Sequence, residues 1–307
     1  MTVHHSAHKK FHQLIDKASS AALNVPTAVV HAVSKDALQG AIDAAKRHLI
    51  KPIFVGPLHK LKAAAAACRI HLDEYEFLSV EHSHAAADAA VDLVLQGKAQ
   101  AIMKGDLHTD EFMHPIVTRL HTDKRMSHCF VMDIPTYERL LIITDAAINI
   151  KPDLEDKMHI IQNAIDLAHA LGVRHPKVAV LAAVETISSS MPATIDAAAL
   201  SKMADRGQIT GGIVDGPLAF DNAISVKAAE MKNIKSAVAG HPDILIAPDI
   251  EAGNIMVKQL DYLADAKAGG LVLGAKVPII LTSRADDSLM RETSCALAGI
   301  YLQYQHK

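Results

Sequence analysis

The stretch from Gly270 to Ser288 ends in polar side chains that could bind an anion and stabilise a developing negative charge. Ser283 and Arg284 follow a short apolar run, and Asp286 and Asp287 come after them, separated from Arg284 by Ala285. A guanidinium group is always charged and forms paired hydrogen bonds with phosphate or carboxylate oxygens, whereas carboxylates can accept protons. The alternative is an ordinary strand–loop–helix junction, in which the same residues only cap the helix that follows.

Other polar residues stand where predicted strands end or predicted helices begin. They are Lys104, Asp145, Asn149, Glu185, Asp215 and Asn254. In an open α/β sheet, ligands bind in the crevice at the carboxyl ends of the strands, so these residues are candidates for substrate binding. Each also has a structural alternative, because polar side chains at such positions commonly cap helices or close turns.

The elements that must position these residues alternate between short apolar runs and longer amphipathic stretches. This rhythm extends over residues 27–105 and returns from residue 177, which predicts βαβ units with parallel sheets and helices on both faces. The runs 127–133 and 140–144 are separated by a short turn and predict an antiparallel hairpin. Ile209–Asp215 is predicted as a strand that ends before Gly216 and Pro217.

Length and composition exclude several classes of protein. A chain of 307 residues favours two domains, and its apolar runs are too short for a transmembrane helix. Three widely spaced cysteines and the absence of an apolar leader favour a reducing cytoplasm. A net charge of −3 and 4% aromatic residues argue against nucleic-acid binding. We therefore expect a cytoplasmic protein that binds neither nucleic acid nor a membrane.

Metal and nucleotide motifs are scarce. His4, His8 and His12 have a spacing that could hold a metal on a helix, but a polar helix terminus is the simpler interpretation. The chain has no Walker loop and no G-x-G-x-x-G motif, so it predicts neither a nucleoside triphosphate nor a Rossmann-type dinucleotide site. We therefore expect no metal and no bound cofactor.

Six ordered motifs together resemble one known family. They are M-K-G-D-L-H-T (103–109), I-T-D-A-A-I-N-I-K-P-D-L-E (143–155), V-A-V-L-A-A-V-E (178–185), D-G-P-L-A-F-D-N-A-I-S (215–225), D-I-L-I-A-P-D-I-E-A-G-N (243–254) and L-G-A-K-V-P-I-I-L-T-S-R-A-D (273–286). This set is similar to the phosphate acetyltransferase/phosphate butyryltransferase family, and above all to the phosphate acetyltransferase form found beside or fused to enoyl-CoA hydratases. The resemblance covers the chain from about Val55 to its C-terminus.

The resemblance implies an activity and an architecture. The activity is transfer of a short acyl group, acetyl or butyryl, in the reaction acyl-CoA + phosphate = acyl phosphate + CoA, with coenzyme A as a substrate. The architecture is a two-domain, three-layer α/β sandwich with mostly parallel sheets, like that of isocitrate and isopropylmalate dehydrogenases. The implied assembly is a homodimer, with an enoyl-CoA hydratase as a further partner. We assign residues 1–147 plus 278–307 to one domain and 148–277 to the other, with the active-site cleft between them.

The resemblance also implies roles for individual residues. Ser283 matches the family's active-site serine, and Arg284 suits the carbonyl oxygen or the phosphate. Met290 stands where the acetyltransferase branch has its aspartate base, so Asp286 and Asp287 become the candidates for that role.

Two cations and one histidine complete the predicted substrate site. Arg125 matches a family arginine that contacts phosphate or coenzyme A, and Lys104 is a second cation for the same purpose. His114 occupies a position where many relatives have an arginine.

Because no histidine lies beside Ser283 in the sequence, we expect phosphate to attack directly in a ternary complex rather than through an acyl-enzyme. Two alternatives stay open: a metal- and nicotinamide-dependent decarboxylating dehydrogenase of the same architecture, and a non-catalytic partner of an enoyl-CoA hydratase.

Overall fold

The computed structural model describes residues 8–282 and 286–306 of the chain. Contacts within the chain divide it into two compact units. The terminal unit comprises Lys9–Lys124 and the described residues from Gly269 onward, and the central unit comprises Arg125–Ala268 together with His8. Among the described residues, none of the helices combines the length and the apolar character that a membrane span requires.

In the terminal unit, helices and strands alternate along the chain. Its elements are α1 (Lys9–Ser20), β1 (Val25–Val30), α2 (Lys35–Lys46), β2 (Ile50–Gly56), α3 (Leu58–Cys68), β3 (Glu76–Ser79), α4 (Ser83–Leu95), β4 (Ala101–Lys104), α5 (Thr109–Arg119), β10 (Lys267–Leu273), which begins at the unit boundary, β11 (Ile279–Ile280) and α11 (Ser288–Gln305). The strand order is β3-β2-β1-β4-β11-β10. Neighbouring strands are parallel apart from the β10–β11 pair, which is antiparallel.

Most positions of β1, β2, β4 and β10 are buried because helices cover these strands, whereas the edge strand β3 is half-buried or exposed. β4 is buried at each of its four positions, which is typical of a parallel strand with both faces covered. The helices form two packed sets: α2 packs against α3 and α11, and α11 against α1, whereas α4 packs against α5. This arrangement agrees with the predicted βαβ pattern.

Helix α11 is the most deeply packed helix of the terminal unit. Twelve of its 18 residues are buried. They include the polar side chains of Arg291, Glu292, Thr293 and Ser294. Buried polar groups must find hydrogen-bond partners, and the hydroxyl of Ser294 accepts a bond from Gly270 N at 3.0 Å. The helix predicted to follow Ser288 is therefore confirmed, and it anchors the C-terminal end of the chain in this unit.

The central unit contains the five remaining strands and five helices of the described residues. Its elements are β5 (Ser127–Asp133), β6 (Leu141–Thr144), α6 (Leu154–Ala170), β7 (Lys177–Leu181), α7 (Pro192–Asp205), β8 (Ile213–Leu218), α8 (Phe220–Ile224), α9 (Val226–Met231), β9 (Ile244–Ile246) and α10 (Ile250–Leu263). The strand order is β5-β6-β9-β7-β8, and the β5–β6 pair is antiparallel whereas the others are parallel. The predicted hairpin is confirmed.

Two details differ from the sequence-based expectations. The strand predicted to end at Asp215 continues through Gly216 and Pro217 to Leu218, because an irregularity in the pairing with β7 lets Leu218 pair with Leu181. The unit boundaries also fall elsewhere than at 147/148 and 277/278. The hairpin belongs to the central unit because β6 pairs with β9, and the boundaries lie at 124/125 and 268/269.

Candidate active site

The carboxyl ends of three parallel strands meet in the terminal unit. The β1–β4 register places Val30 beside Lys104, and the β4–β11 register places Met103 beside Ile280. The residues that follow these strand ends, together with the start of α2 and the first turn of α11, surround a pocket of about 200 Å³. The pocket is lined by Ser34, Asp36, Ala37, Met103, Lys104, Gly105, Asp106, Thr282 and Arg291.

Lys104 is buried in this pocket, with 7% of its surface exposed. Its Nζ lies 3.5 Å from the carbonyl oxygen of Gly105, and its own carbonyl accepts a hydrogen bond from Thr282 Oγ1 at 3.4 Å. Gly105 is required here because β1 passes too close for any side chain. A Cβ at this position would lie 2.4 Å from Val30 O. The tight contact fixes the end of β4 against β1 and thereby the lysine.

Asp106 links β4 to the loop that precedes α2. Its Oδ2 accepts a hydrogen bond from Ser34 N at 2.6 Å, and its carbonyl oxygen lies 2.8 Å from His31 Nδ1. Since a carbonyl oxygen only accepts, Nδ1 is the nitrogen that carries the proton in this contact. When the ring is neutral, Nε2 is then its acceptor. Sequence reasoning singled out neither residue.

Arg291 is the second cation of the pocket, and sequence reasoning missed it. It is 8% exposed, and its Nη1 donates to Asp36 O at 3.1 Å. Its stem passes over Gly40, where a Cβ would lie 2.7 Å from the arginine Cδ. A cation in the first turn of a helix opposes the helix dipole, so its position three residues after Ser288 could have marked it as functional.

Of the four predicted catalytic residues, the two that the structure describes are not among the residues that line this pocket. Ser283 and Arg284 lie outside the described residues. Asp287 is exposed and caps α11, since its Oδ1 accepts a hydrogen bond from Met290 N at 3.0 Å, and Asp286 is half-buried. The capping alternative therefore describes Asp287. His114 is exposed on α5 and is not among the residues that line the pocket.

The central unit brings four of the predicted residues into one hydrogen-bonded cluster. Asp145 is 3% exposed, and its carboxylate accepts bonds from the backbone N–H groups of Ala147 and Ile148 at 2.9 and 3.1 Å. It also accepts bonds from Asn149, through the backbone N at 3.1 Å and through Nδ2 at 2.6 Å. Asn254 Nδ2 donates to the carbonyl oxygen of Ala146 at 3.0 Å, which ties the start of α10 to this loop.

Arg125 presents a cation at the edge of the same cluster. Its Nε donates to Asn149 Oδ1 at 2.8 Å and lies 3.4 Å from Asp156 Oδ1. The side chain is 55% exposed. Asn149 thus connects a buried carboxylate to a solvent-exposed guanidinium and restricts the orientation of Arg125.

Glu185 and Asp215 lie apart from that cluster. Glu185 follows the end of β7 by several residues, and its Oε2 accepts hydrogen bonds from Lys232 Nζ at 3.0 Å and Asn222 Nδ2 at 3.1 Å. The bond from Lys232 lowers the pKa of Glu185 below its usual value. The prediction that Asp215 ends a strand is wrong: it lies within β8, and its Oδ1 accepts the bond from Gly216 N at 2.8 Å.

The two buried cysteines do not contribute a nucleophile. Cys129 and Cys295 are fully buried, and burial raises the pKa of each thiol to about 12. A thiol with such a pKa stays protonated at neutral pH and reacts slowly.

Within residues 8–282 and 286–306, the histidine, cysteine and acidic side chains form no group of three that could hold a metal ion. His4 lies outside this range, and His12 is exposed.

Comparison with known sequences decides the family. Residues 81–291 match the profile of the phosphate acetyl/butaryl transferase family. The chain belongs to this family. It is 55% identical over 286 residues to a phosphate acetyltransferase of Rickettsia felis, an alignment that covers 92% of this chain and 81% of the relative. It is 41% identical over 295 residues to a phosphate butyryltransferase of Clostridium acetobutylicum, covering 95% of this chain and 98% of the relative.

Solved structures agree with the fold. A branched-chain phosphotransacylase from Enterococcus faecalis matches with a TM-score of 0.78 and 28% identity, covering 90% of this chain and 98% of that one. A 4-hydroxythreonine-4-phosphate dehydrogenase from Klebsiella pneumoniae matches with a TM-score of 0.55 and 14% identity over 89% of this chain and 98% of that one, a likeness of fold alone.

Proposed function

We propose that this chain is a phosphate acyltransferase that moves an acetyl or butyryl group between coenzyme A and orthophosphate. The observation that carries the proposal is the family match, which includes a phosphate acetyltransferase at 55% identity over most of both chains. The two buried cations of the terminal unit, Lys104 and Arg291, support it because one substrate of the reaction is an inorganic anion.

The reaction proceeds through an oxyanionic intermediate that the protein must stabilise. A phosphate oxygen adds to the thioester carbonyl carbon, the carbonyl oxygen becomes an oxyanion, and the intermediate collapses with departure of the coenzyme A thiolate. Donors aimed at the oxyanion are worth about 10²–10³ in rate each. Arg284 and Ser283 are the residues we assign to the oxyanion and the thiolate, and Arg125 and Lys104 those we assign to anionic groups of the substrates.

We also propose that phosphate attacks directly while both substrates are bound. Holding two reactants in register replaces a bimolecular encounter and lowers the barrier without a covalent intermediate. Initial rates measured against both substrates should then give intersecting double-reciprocal lines. Parallel lines, or a burst of acylated enzyme, would contradict this order of events.

In the acyl-CoA-forming direction, a carboxylate must accept the proton of the coenzyme A thiol. Asp287 caps α11 through Met290 N, so Asp286 is the better candidate of the pair. Asp286→Asn should flatten the pH dependence of the rate of acyl-CoA formation. An unchanged pH–rate profile would show that Asp286 is not the base.

Phosphate-dependent release of free thiol from acetyl-CoA and butyryl-CoA tests the activity directly. The alternative of a dehydrogenase of this architecture predicts instead formation of reduced nicotinamide with a hydroxy acid, and an idle hydratase partner predicts neither. We further propose a two-domain architecture like that of isocitrate and isopropylmalate dehydrogenases. We also propose that the chain forms a homodimer, which sedimentation would test by measuring the mass of the protein in solution. The site between two domains stays a prediction.

A further inference from the structure

The main chain of Arg125 is fixed by helix α6 of the central unit. Its backbone N–H donates to His159 Nδ1 at 3.2 Å, and its carbonyl oxygen accepts a bond from Asn163 Nδ2 at 2.9 Å. Both partners lie on α6. The side chain, by contrast, is 55% exposed. An exposed arginine samples many rotamers, so the contacts of its guanidinium decide whether it is ordered before a ligand arrives.

Asn149 holds that guanidinium from the buried side. Arg125 Nε donates to Asn149 Oδ1 at 2.8 Å. Asn149 is 3% exposed, and its Nδ2 donates to Met126 O at 2.8 Å and to Asp145 Oδ2 at 2.6 Å. Arginine only donates, whereas a carbonyl oxygen and a carboxylate only accept, so the amide of Asn149 satisfies all three partners in this orientation alone. Both of its N–H donors are therefore engaged inside the protein.

The buried carboxylate of Asp145 strengthens the contact between Asn149 and Arg125. Hydrogen bonds in a chain polarise one another when water is excluded. The negative charge beside Nδ2 shifts the electron density of the amide towards Oδ1, which is the atom that accepts from Arg125. A second carboxylate lies near the same nitrogen, since Asp156 Oδ1 is 3.4 Å from Nε. The guanidinium is thus anchored through Nε by a polarised amide and an ion pair.

Anchoring through Nε suits the way in which arginine binds phosphate. The two terminal nitrogens, Nη1 and Nη2, form the planar fork that makes paired hydrogen bonds with two oxygens of one anion. A bond at Nε fixes the plane of the guanidinium and leaves this edge for a ligand. Because the side chain is ordered beforehand, binding costs less side-chain entropy.

We propose that Asn149 is a positioning residue, which holds Arg125 through Nε and thereby presents Nη1 and Nη2 as a fork for a phosphate oxyanion of the substrates. The inference rests on the proposed acyl transfer. It gives Asn149, a candidate for direct substrate binding, a role that acts through Arg125. Orthophosphate and the phosphate groups of coenzyme A share this chemistry, and the experiment separates the two sources.

A double-mutant cycle tests whether Asn149 acts through Arg125. Arg125→Met removes the fork and should raise KM for one substrate by about 10- to 100-fold. Asn149→Ser keeps a hydroxyl that can still donate to Asp145 or to Met126 O, but it is too short to reach Nε. It should raise the same KM by about 2- to 10-fold, because the guanidinium must then be ordered on binding.

The decisive measurement is Asn149→Ser in the Arg125→Met background. There it should change that KM by less than about twofold, since the group that it positions is gone. The same rise in both backgrounds would show a merely structural role and would overturn the proposal. Circular dichroism shows which variants fold. If Asn149→Ser does not fold, Arg125→Lys decides, because lysine keeps the charge but has neither Nε nor the fork. It should stay within about threefold of Arg125→Met, and full recovery would overturn the proposal.

Asn163→Ser is the matched control. Asn163 is an asparagine with 1% of its surface exposed, and it bonds the carbonyl oxygen of Arg125 instead of the guanidinium. Its substitution should lower stability in urea and leave both KM values within about twofold. A rise in KM equal to that of Asn149→Ser would overturn the proposal, since any loosening near Arg125 would then suffice.

Nitrogen NMR observes the anchoring bond without turnover. The Nε–H signal of Arg125, assigned by its loss in Arg125→Met, should exchange with water slowly in the native chain and faster in Asn149→Ser. Equal exchange in the two would overturn the proposal.

The substrate whose KM responds to Arg125→Met identifies the source of the phosphate. A rise for orthophosphate alone assigns the fork to orthophosphate. A rise for acetyl-CoA that is absent with acetyl-dephospho-CoA assigns it to the terminal phosphate of coenzyme A, and a rise with both thioesters assigns it to the diphosphate. No response with any of them would overturn the proposal. Calorimetric binding of coenzyme A or inorganic phosphate without thiol release would refute the proposed function alone, because the cycle can then be measured with Kd. Binding of neither would overturn both.

Discussion

The buried carboxylate of Asp145 should be a sensitive point of the central unit. Four donors converge on it: the backbone N–H groups of Ala147, Ile148 and Asn149, and the side-chain amide of Asn149. Two of these donors reach Oδ1 and two reach Oδ2. A carboxylate accepts on both oxygens, whereas an amide accepts on only one.

Asp145→Asn therefore keeps the shape of the side chain and loses two of the four bonds. Whichever way the new amide turns, its NH₂ group faces two donors. Each hydrogen bond to a charged group is worth about 1.5–3 kcal/mol, so the central unit should lose roughly 3–6 kcal/mol of stability. This is large compared with the ~5–15 kcal/mol by which a typical domain is stable.

Urea denaturation and hydrogen exchange of the peptide that contains residues 145–150 measure this loss. Asp153→Asn is the matched control, because it removes the same charge from the exposed N-cap of α6, where asparagine caps about as well as aspartate. We expect that control to change stability by less than about 0.5 kcal/mol. A loss below about 1 kcal/mol in Asp145→Asn would mean that the four hydrogen bonds contribute little to stability and would contradict the prediction.

Three further substitutions test other parts of the account. Gly105→Ala should destabilise the terminal unit by about 1–3 kcal/mol or more, because its Cβ would lie 2.4 Å from a carbonyl oxygen of β1; a melting temperature within 1 °C of the native value would contradict the fit. Lys232→Met should raise the pKa of Glu185 towards its usual value, seen by carboxyl ¹³C NMR. Since the pKa of Glu185 is lowered in the folded state, the stabilisation by this pair is present at neutral pH and is lost as the pH falls through that pKa. An unchanged pKa of Glu185 in Lys232→Met would show that the two side chains do not interact. Arg284→Ala should keep the fold and cut turnover on the order of 10²-fold or more. A loss below about threefold would show that Arg284 does not stabilise the oxyanion.

The sequence predicted the alternation of strands and helices because burial on both faces leaves a direct record in apolar runs. Each of β1, β4 and β5 contains a short apolar run, and the hairpin of β5 and β6 follows from the short turn between them. The end of β8 could not be predicted, since Gly216 and Pro217 usually interrupt a strand and only the pairing partner shows that this one continues.

The candidate site was less accessible to sequence reasoning. Asp145 and Asn149 lie in one motif, so their proximity is local and could be expected, and α11 was foreseen from its cap at Asp287. Arg291 was missed because the pattern assigns it to a packed helix, and its contact with Asp36 O joins residues 255 positions apart in the chain. Contacts of that range depend on how elements pack, which hydrophobic periodicity does not record.

The most direct test of the central claim is the release of free thiol from acetyl-CoA, with and without orthophosphate, extended to butyryl-CoA and longer acyl chains. A phosphate acyltransferase should release thiol only when phosphate is present and should form an equal amount of acyl phosphate. Absence of thiol release with every chain from acetyl to octanoyl, or release at the same rate without phosphate, would contradict it.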